Sequence, residues 1–234
     1  GNGGLPTLVN ALSALREHKR FKGKPTQGII VSVPGDWEKR QLKRNAVAGI
    51  AALQKLIQSE KVGSVLIVDN QKLANEHKEK LSESSNLSWE NYGNMALAST
   101  IIETIVATSL PQVNAFDRAE WLDVFSTPGF LTIGKREHEN RELKSTEIDS
   151  FVRNCFTNSH VFADDYTFGH EAKIGAAIAI RPENKILTSN QRTRIEAIMN
   201  ELLFGADVTH YGLIDNHLWG KIDGVNSPKR DDNL

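Results

Sequence analysis

Apolar runs and helical apolar stripes alternate along the first part of the chain. Short β-branched runs at 27–33 and 63–69 have the composition of buried strands. Between them the apolar residues recur at a helical spacing, which predicts a helix from Trp37 to about Ser59 with Asp36 as its N-cap. The residues of that stripe are Leu42, Ala46, Ile50, Leu53 and Ile57. The pattern predicts a strand–helix–strand unit.

Two further helices flank this unit. An amphipathic helix is predicted shortly after residue 6, because apolar residues recur at helical spacing between Leu8 and Leu15. A long helix is predicted from Leu87 to about Ser109, and its core-facing residues are predicted to be Trp89, Tyr92, Met95, Ile102 and Ile105. Strands and helices alternating in this order predict an α/β fold with a parallel sheet.

The pattern of apolar and polar residues changes beyond Pro128. The pattern predicts strands at 130–134 and 173–181 and helices at 146–157 and 189–204. It also predicts a closing antiparallel pair of strands at 209–216 and 218–225. Residues 227–234 are predicted to form a polar tail.

Composition narrows the possible partners. The 234 residues are 39% apolar and 24% charged with a net charge of -1, which offers no electrostatic basis for direct nucleic-acid binding. A single cysteine, Cys155, excludes an internal disulfide and a cysteine-rich metal site, and no metal site is predicted elsewhere. With no apolar run approaching about 18 residues, we expect no membrane association and a cytoplasmic location.

Candidate chemistry lies at three places. In parallel α/β sheets ligands sit beyond the carboxyl ends of the strands, which singles out residues 34–38 and 69–72. Asp117 and Glu120 stand three apart on the first turn of a short helix, where paired carboxylates can orient and deprotonate a water. The alternative is that these acids only favour a helix N-terminus.

The chain starts with a glycine-rich turn, Gly1-Asn2-Gly3-Gly4-Leu5-Pro6. Such turns bring backbone N–H groups to a phosphate when they follow a strand. Because no strand precedes this one, we expect the chain to be a fragment of a longer protein.

Five landmarks in this order resemble the tubulin/FtsZ superfamily of filament-forming GTPases. They are the end of the glycine-rich phosphate loop, P-G-D-W-E-K (34–39), A-V-A-G-I-A-A-L (46–53), D-N-Q-K-L (69–73) and N-A-F-D-R-A-E (114–120). The divergence elsewhere is closer in character to the plasmid- or phage-segregation tubulins (TubZ-like) than to the division proteins.

The resemblance implies an α/β fold comprising the second half of a parallel, Rossmann-like GTPase sheet, a long central helix and an α+β activation domain with a mixed sheet. The expected division is residues 1–86 for the nucleotide-binding half, 87–110 for the central helix, 111–226 for the catalytic loop and activation domain, and 227–234 for the tail.

The resemblance also assigns nucleotide contacts. Gly1, Asn2 and Gly3 would belong to the phosphate loop, Glu38 would accept the ribose hydroxyls, and Asn70 would bond to the guanine. Tyr92 or Trp89 would stack on the base and Asn94 would bond to it. The residues have structural alternatives: a first-turn helix acid for Glu38, a turn asparagine for Asn70, and core positions for the two aromatics. Leu42 stands where the family has an arginine, which leaves Arg40 or Arg44 as substitutes.

Catalysis in the family takes place between subunits. The resemblance implies that Glu120 polarises the water, Asp117 assists and Asn114 fixes the loop, all acting on GTP held with Mg²⁺ by the neighbouring subunit. The expected assembly is a head-to-tail filament that moves plasmid or phage DNA through a DNA-bound adaptor. This chain alone is expected to bind GTP poorly and to hydrolyse it to GDP at a negligible rate. The alternatives are a non-catalytic interaction protein of tubulin fold, an FtsZ-like division protein, or an unrelated α/β binding domain.

Overall fold

The computed structural model describes residues 4–20, 22, 28–80, 86–110, 112–114, 116–136, 144–157, 161–163, 174–182, 188–202 and 208–216. In chain order the elements are α1 (Gly4–Glu17), β1 (Ile29–Val33), α2 (Arg40–Gln58), β2 (Ser64–Asp69), α3 (Asn70–Lys80), α4 (Trp89–Ala107), β3 (Gln112–Asn114), α5 (Arg118–Ser126), β4 (Gly129–Leu131), α6 (Ser145–Thr157), β5 (Ile174–Pro182), α7 (Ser189–Leu202) and β6 (Val208–Asn216).

The first sheet is parallel, as predicted, and has the strand order β1-β2-β4. Strand β2 is the middle strand and is covered on both faces, which explains its unbroken apolar run. Val65 packs with Leu12 of α1 and Leu53 of α2 on one face. On the other face Leu66 packs in a cluster with Leu73 of α3, and this cluster also touches α4. Strand β2 is therefore buried, whereas the flanking strands keep exposed side chains, Ile30 of β1 at 50% and Phe130 of β4 at 41%. The prediction that 27–33 is a buried strand is thus wrong for one face of β1.

The strand predicted at 130–134 is β4, and it extends this parallel sheet. Gly129 lies beside Ser64 in the register, at the start of β2. The chain thus returns to the first sheet after α4 and α5, even though the sequence pattern changes near this point.

Helix α2 begins three residues later than predicted. Its N-cap is Lys39, whose side chain forms no capping hydrogen bond, so the predicted cap at Asp36 is wrong. The preceding residues form a turn in which the Glu38 N–H donates to the Gly35 carbonyl at 3.1 Å. Asp36 accepts instead from Lys43 Nζ at 2.7 Å.

Helix α4 matches the predicted long helix but not all of its predicted core face. Ser88 caps it by accepting from the Asn91 N–H at 3.3 Å. Met95, Ile102 and Ile105 are 50%, 40% and 45% exposed, so the prediction that they face a core is wrong. Other apolar positions on the helix pack on the sheet: Leu97 and Ile101. Because α4 is apolar on several sides, its pattern does not specify one buried face.

The second sheet is mixed, as predicted, with the order β3-β6-β5. Strand β6 runs antiparallel to β3 and parallel to β5. The predicted partner of β6, at 218–225, lies outside the described residues, as does the predicted tail. Helices α6 and α7 match their predicted positions and are joined by ion pairs, including Arg153 to Glu201 at 2.5 Å and Arg194 to Asp149.

Candidate nucleotide edge and acid cap

The carboxyl ends of β1 and β2 bring two sequence-predicted site residues together. The strands are parallel neighbours in which Val33 lies beside Asp69, so the residues that follow them meet at one edge. Glu38 Oε1 accepts from Asn70 Nδ2 at 3.4 Å and from the Gly35 N–H at 3.2 Å. We call this part of the protein, residues 34–38 and 69–72, the nucleotide edge, after the role that the sequence resemblance predicts for it.

Backbone and side-chain bonds fasten the two halves of the nucleotide edge to each other. Gln71 Oε1 accepts from the Asp36 N–H at 2.8 Å. Asp69 Oδ1 in turn accepts from the Gln71 N–H at 2.8 Å, which satisfies a donor in the first turn of α3. The loop between β1 and α2 is therefore held against the start of α3 through contacts about 35 residues apart in sequence.

An aromatic pair borders the same edge. The ring of Trp37 covers Gly35, where a Cβ would overlap it, and meets Trp89 edge-on with ring centroids 5.2 Å apart. Trp37 is 52% exposed. Edge-to-face geometry is favourable for aromatic rings.

Tyr92 and Asn94 lie on different sides of α4. The Tyr92 hydroxyl donates to Glu76 Oε2 at 3.3 Å and its ring meets His77 at 5.7 Å, so Tyr92 faces α3. Asn94 is exposed and lies about 200° around the helix from Tyr92. The aromatic residue of α4 that contacts the loop of the nucleotide edge is Trp89.

Asp117 and Glu120 form a capping box at the start of α5. Asp117 Oδ1 accepts from the N–H groups of Ala119 at 2.7 Å and Glu120 at 3.0 Å. Glu120 Oε2 reaches back to accept from the Asp117 N–H at 2.9 Å. The motif D-x-x-E is a sequence signature of this arrangement. The two carboxylates therefore have a structural role, and Asp117 is exposed as well.

The capping box of Asp117 and Glu120, which we call the acid cap, and the nucleotide edge lie at opposite ends of the parallel strands. Near the end of α5, the Phe125 carbonyl accepts from Ser64 Oγ at 2.5 Å, at the first residue of β2. Asn70 follows the last residue of the same strand. Helix α4 spans the same interval, since Trp89 meets Trp37 at its start and Thr104 Oγ1 accepts from Trp121 Nε1 at 2.9 Å near its end. Fifteen residues of helix separate these contacts, about 22 Å.

Comparisons with known proteins identify the fold. No protein-family model matches the chain. The tubulin-like protein TubZ of Bacillus cereus is 28% identical over 153 residues, covering 64% of this chain and 32% of the relative. A GDP-form protofilament structure of Bacillus thuringiensis serovar israelensis TubZ matches with a TM-score of 0.71 at 16% identity, over 92% of this chain and 57% of that one. An FtsZ dimer from M. jannaschii matches with a TM-score of 0.55 at 17% identity, over 94% and 56%.

This chain has the tubulin/FtsZ fold. The resemblance read from the five sequence landmarks is confirmed, as is the similarity to TubZ. The chain spans about a third of the length of the curated relatives that it matches and just over half of the solved TubZ chain.

The structure does not describe the side chains of four predicted site residues of this tubulin/FtsZ fold. Gly1, Asn2 and Gly3 lie outside the described residues. Asn114 ends strand β3, and only its backbone is described. Of the other six, Glu38 and Asn70 meet at the nucleotide edge and Asp117 and Glu120 at the acid cap. Tyr92 and Asn94 lie on α4 and belong to neither group.

Trp37 and Gln71 fall within the predicted ranges 34–38 and 69–72, but the sequence assigns neither of them an individual role at the nucleotide edge. Trp37 is predicted only to start a helix, whereas in the structure its ring covers Gly35. Gln71 had no distinguishing signal, because its partner, the Asp36 N–H, is distant in sequence.

Two negative findings hold for the described part of the tubulin/FtsZ fold. No group of three or more His, Cys, Asp or Glu residues is arranged there to hold a metal ion. None of the helices described is both long enough and apolar enough to cross a bilayer.

Proposed function

We propose that this chain is part of a filament-forming tubulin-like GTPase. A guanine nucleotide binds at the nucleotide edge of one subunit, and the acid cap of the next subunit supplies the groups that hydrolyse it. The observation that carries the proposal is the placement of these two features at opposite ends of the same strands. Features so separated cannot act on one ligand within a single subunit, but they meet when copies stack head to tail.

The related structures support such stacking. TubZ of Bacillus thuringiensis serovar israelensis has been solved as protofilaments in a GDP form and a GTPγS form. A head-to-tail contact that does not close into a ring generates an open filament. Its repeated interface would bring an acid cap to every nucleotide edge except the last.

The nucleotide edge has the donors and acceptors that a guanine nucleoside requires. Asn70 offers an amide donor and acceptor to the base, and the Glu38 carboxylate accepts from the ribose hydroxyls. Their mutual contact at 3.4 Å is exchanged for contacts to the ligand on binding. Trp89, rather than Tyr92, is positioned with Trp37 to offer a ring face, and Asn94 would contribute only if the base extends around α4.

The acid cap fits the hydrolytic role. Glu120 orients the attacking water as general base, and Asp117 assists it through water or Mg²⁺. Mg²⁺ bound through nucleotide phosphates needs one or two protein carboxylates, and the exposed Asp117 is one. Gly1, Asn2 and Gly3 complete the phosphate loop and Asn114 steadies the catalytic loop in this proposal.

We divide the chain into segments according to these proposed roles. We assign 1–86 to the nucleotide-binding half, 87–110 to the central helix, 111–226 to the catalytic loop and activation domain, and 227–234 to a tail. The pairing of β4 with β2 links the third segment to the first. A cellular role in plasmid or phage DNA segregation, through a DNA-bound adaptor protein, is supported by the similarity to TubZ, one structure of which is described as a type III plasmid segregation protein.

The decisive variant is Glu120→Gln in the full-length protein. A glutamine oxygen can still accept from the Asp117 N–H, so the capping box persists while the negative charge is lost. We expect phosphate release to fall about 100-fold or more while the midpoint of thermal unfolding stays unchanged and filaments accumulate.

Glu147→Gln is the matched control. Glu147 Oε2 accepts from the Lys144 N–H at 3.1 Å at the start of α6, so it makes the same kind of capping bond on another helix. This variant should hydrolyse GTP normally. If the Glu120 variant and the wild type release phosphate at equal rates, the two acids act only as a helix cap. That result would favour the non-catalytic interaction protein.

Mixing two inactive variants tests whether the site is shared. Asn70→Ala lacks an intact nucleotide edge and Glu120→Gln lacks the acid, yet a mixed pair contains one complete interface. We expect phosphate release to reappear on mixing. If the mixture stays inactive while both variants remain folded, the groups do not act between subunits.

A further inference from the structure

A cluster of basic side chains extends from the nucleotide edge onto α2. Lys39, Arg40 and Arg44 are exposed, and none of them forms an ion pair or a side-chain hydrogen bond with another described residue. Lys43 is bonded to Asp36. We call residues 39–44 the basic turn.

The basic turn opposes the electrostatics of its own helix. The N-terminus of a helix carries partial positive charge, which favours acids and disfavours lysine and arginine in the first turn. Helix α2 has no acid in its first turn, and its N-cap Lys39 forms no side-chain capping bond. Asp36 compensates Lys43, but no described acid pairs with Lys39 or Arg40, and a local rule broken in this way favours a partner that supplies negative charge.

The opposite end of the strands carries that charge. Helix α5 and its N-cap contain three acidic residues, Asp117, Glu120 and Asp123, and one basic residue, Arg118. Asp123 is exposed and lies one helical turn beyond Glu120. We call residues 117–123 the acid turn.

Each turn lies next to a residue of the proposed shared site. Arg40 and Arg44 follow Glu38 within two helical turns, and Asp123 follows Glu120 within one. In a head-to-tail contact that brings Glu120 to a nucleotide held at Glu38 and Asn70, Asp123 and the start of α2 would therefore belong to the same interface.

We propose that the basic turn of one copy binds the acid turn of the next, and that this contact drives head-to-tail assembly and sets its direction. The inference rests on the proposed function and extends it, because it assigns an attractive charge contact outside the nucleotide itself. Complementary charge chiefly accelerates and orients association, and salt weakens it.

The first test reverses the basic turn with Arg40→Glu and Arg44→Glu together in the full-length protein. An acid at the start of α2 suits the helix dipole, so thermal stability should be retained or increase. The concentration of protein needed for GTP-dependent filaments should rise about tenfold, and added salt should raise the wild-type concentration toward that of the variant. Lys55→Glu with Lys61→Glu is the control, since it makes the same change in net charge at the far end of α2 and should assemble normally.

The second test pairs this variant with Asp123→Lys, which reverses the acid turn. Each variant alone places like charges across its interface, but in an alternating copolymer every interface joins opposite charges. We expect the two to form filaments together at a concentration near that of the wild type. Light scattering and electron microscopy measure this, with Glu79→Lys replacing Asp123→Lys as a partner that should not rescue.

The outcomes separate the two proposals. Wild-type filaments whose hydrolysis needs Glu120, with no rescue by the Asp123 variant, would overturn the charge contact alone. Loss of nucleotide affinity in the arginine variant without rescue would assign the basic turn to phosphates of its own ligand, and binding of the basic turn to duplex DNA without rescue would assign it to nucleic acid. A wild-type protein that forms no filaments with GTP would overturn both proposals.

Discussion

The two ends of strand β2 differ in how their acidic residues are held. At the carboxyl end, Glu38 is bonded to Asn70 and Asp36 to Gln71, pairs that are 32 and 35 residues apart. At the amino end, Asp117 and Glu120 are bonded to each other's backbone within three residues. One arrangement exists only once the sheet has formed, whereas the other can form as soon as one helical turn does.

The two ends therefore depend on the rest of the fold in different ways. The acid cap needs the rest of the fold only to carry α5 to the start of β2, through Trp121 and Phe125. The nucleotide edge needs the fold to create the site itself. Matching substitutions at the two ends should therefore change the free energy of unfolding by different amounts.

The largest effect is expected from replacing the tryptophan that anchors α5. Trp121 is half-buried, stacks on Phe125 at 4.2 Å and donates to Thr104, so Trp121→Ala should lower the free energy of unfolding by about 2–3 kcal/mol. Trp37→Ala removes a half-exposed ring with one edge contact and should lower it by about 1 kcal/mol or less. Urea denaturation of both variants measures the difference. Equal losses would mean that the two ends are anchored alike.

A smaller effect is expected from adding a methyl group at a glycine of each end. A Cβ at Gly28 would lie 2.9 Å from Ser64 Oγ and 3.0 Å from the Phe125 carbonyl, which is backbone and cannot rotate away. Gly28→Ala should therefore cost about 1–2 kcal/mol.

The matched variant is Gly35→Ala. A Cβ there meets the exposed ring of Trp37, which can turn outward, so its cost should be below about 1 kcal/mol. Tryptophan fluorescence should change in this variant because the ring moves into water. A larger loss of stability at Gly35 than at Gly28 would contradict the comparison.

The smallest effect is a pH dependence that arises away from both ends, between α6 and α7. The hydrogen bond from Arg194 holds the pKa of Asp149 below its ordinary value of 3.8. A carboxyl group whose pKa is lowered by folding stabilises the folded state above its unfolded pKa, and this contribution disappears as the pH falls through the lowered value. Asp149→Asn should thus be slightly less stable than the wild type at pH 7 and equal to it in strong acid. A difference in stability that persists unchanged in acid would exclude this ion pair as its cause.

Part of the site could be predicted because its signals are local. The apolar run of β2 predicts its burial, because a strand covered on both faces is continuously apolar. The run of β1 predicts a strand but not its exposed face, since Ile30 is 50% exposed. The capping box is readable from D-x-x-E, since both bonds lie within four residues. The pairing of Glu38 with Asn70 at one edge follows from parallel strands ending together.

The sequence by itself determined the order of strands and helices, the resemblance to the tubulin/FtsZ superfamily, and the acid cap on α5. Each of these depends on spacing within a few residues. Only the tertiary structure decided that β4 joins the first sheet, that Met95, Ile102 and Ile105 of α4 remain exposed, and that Trp37 packs on Trp89. These outcomes depend on which surfaces are brought together by segments that are distant along the chain, and an apolar pattern records only that a residue can be buried, not what covers it.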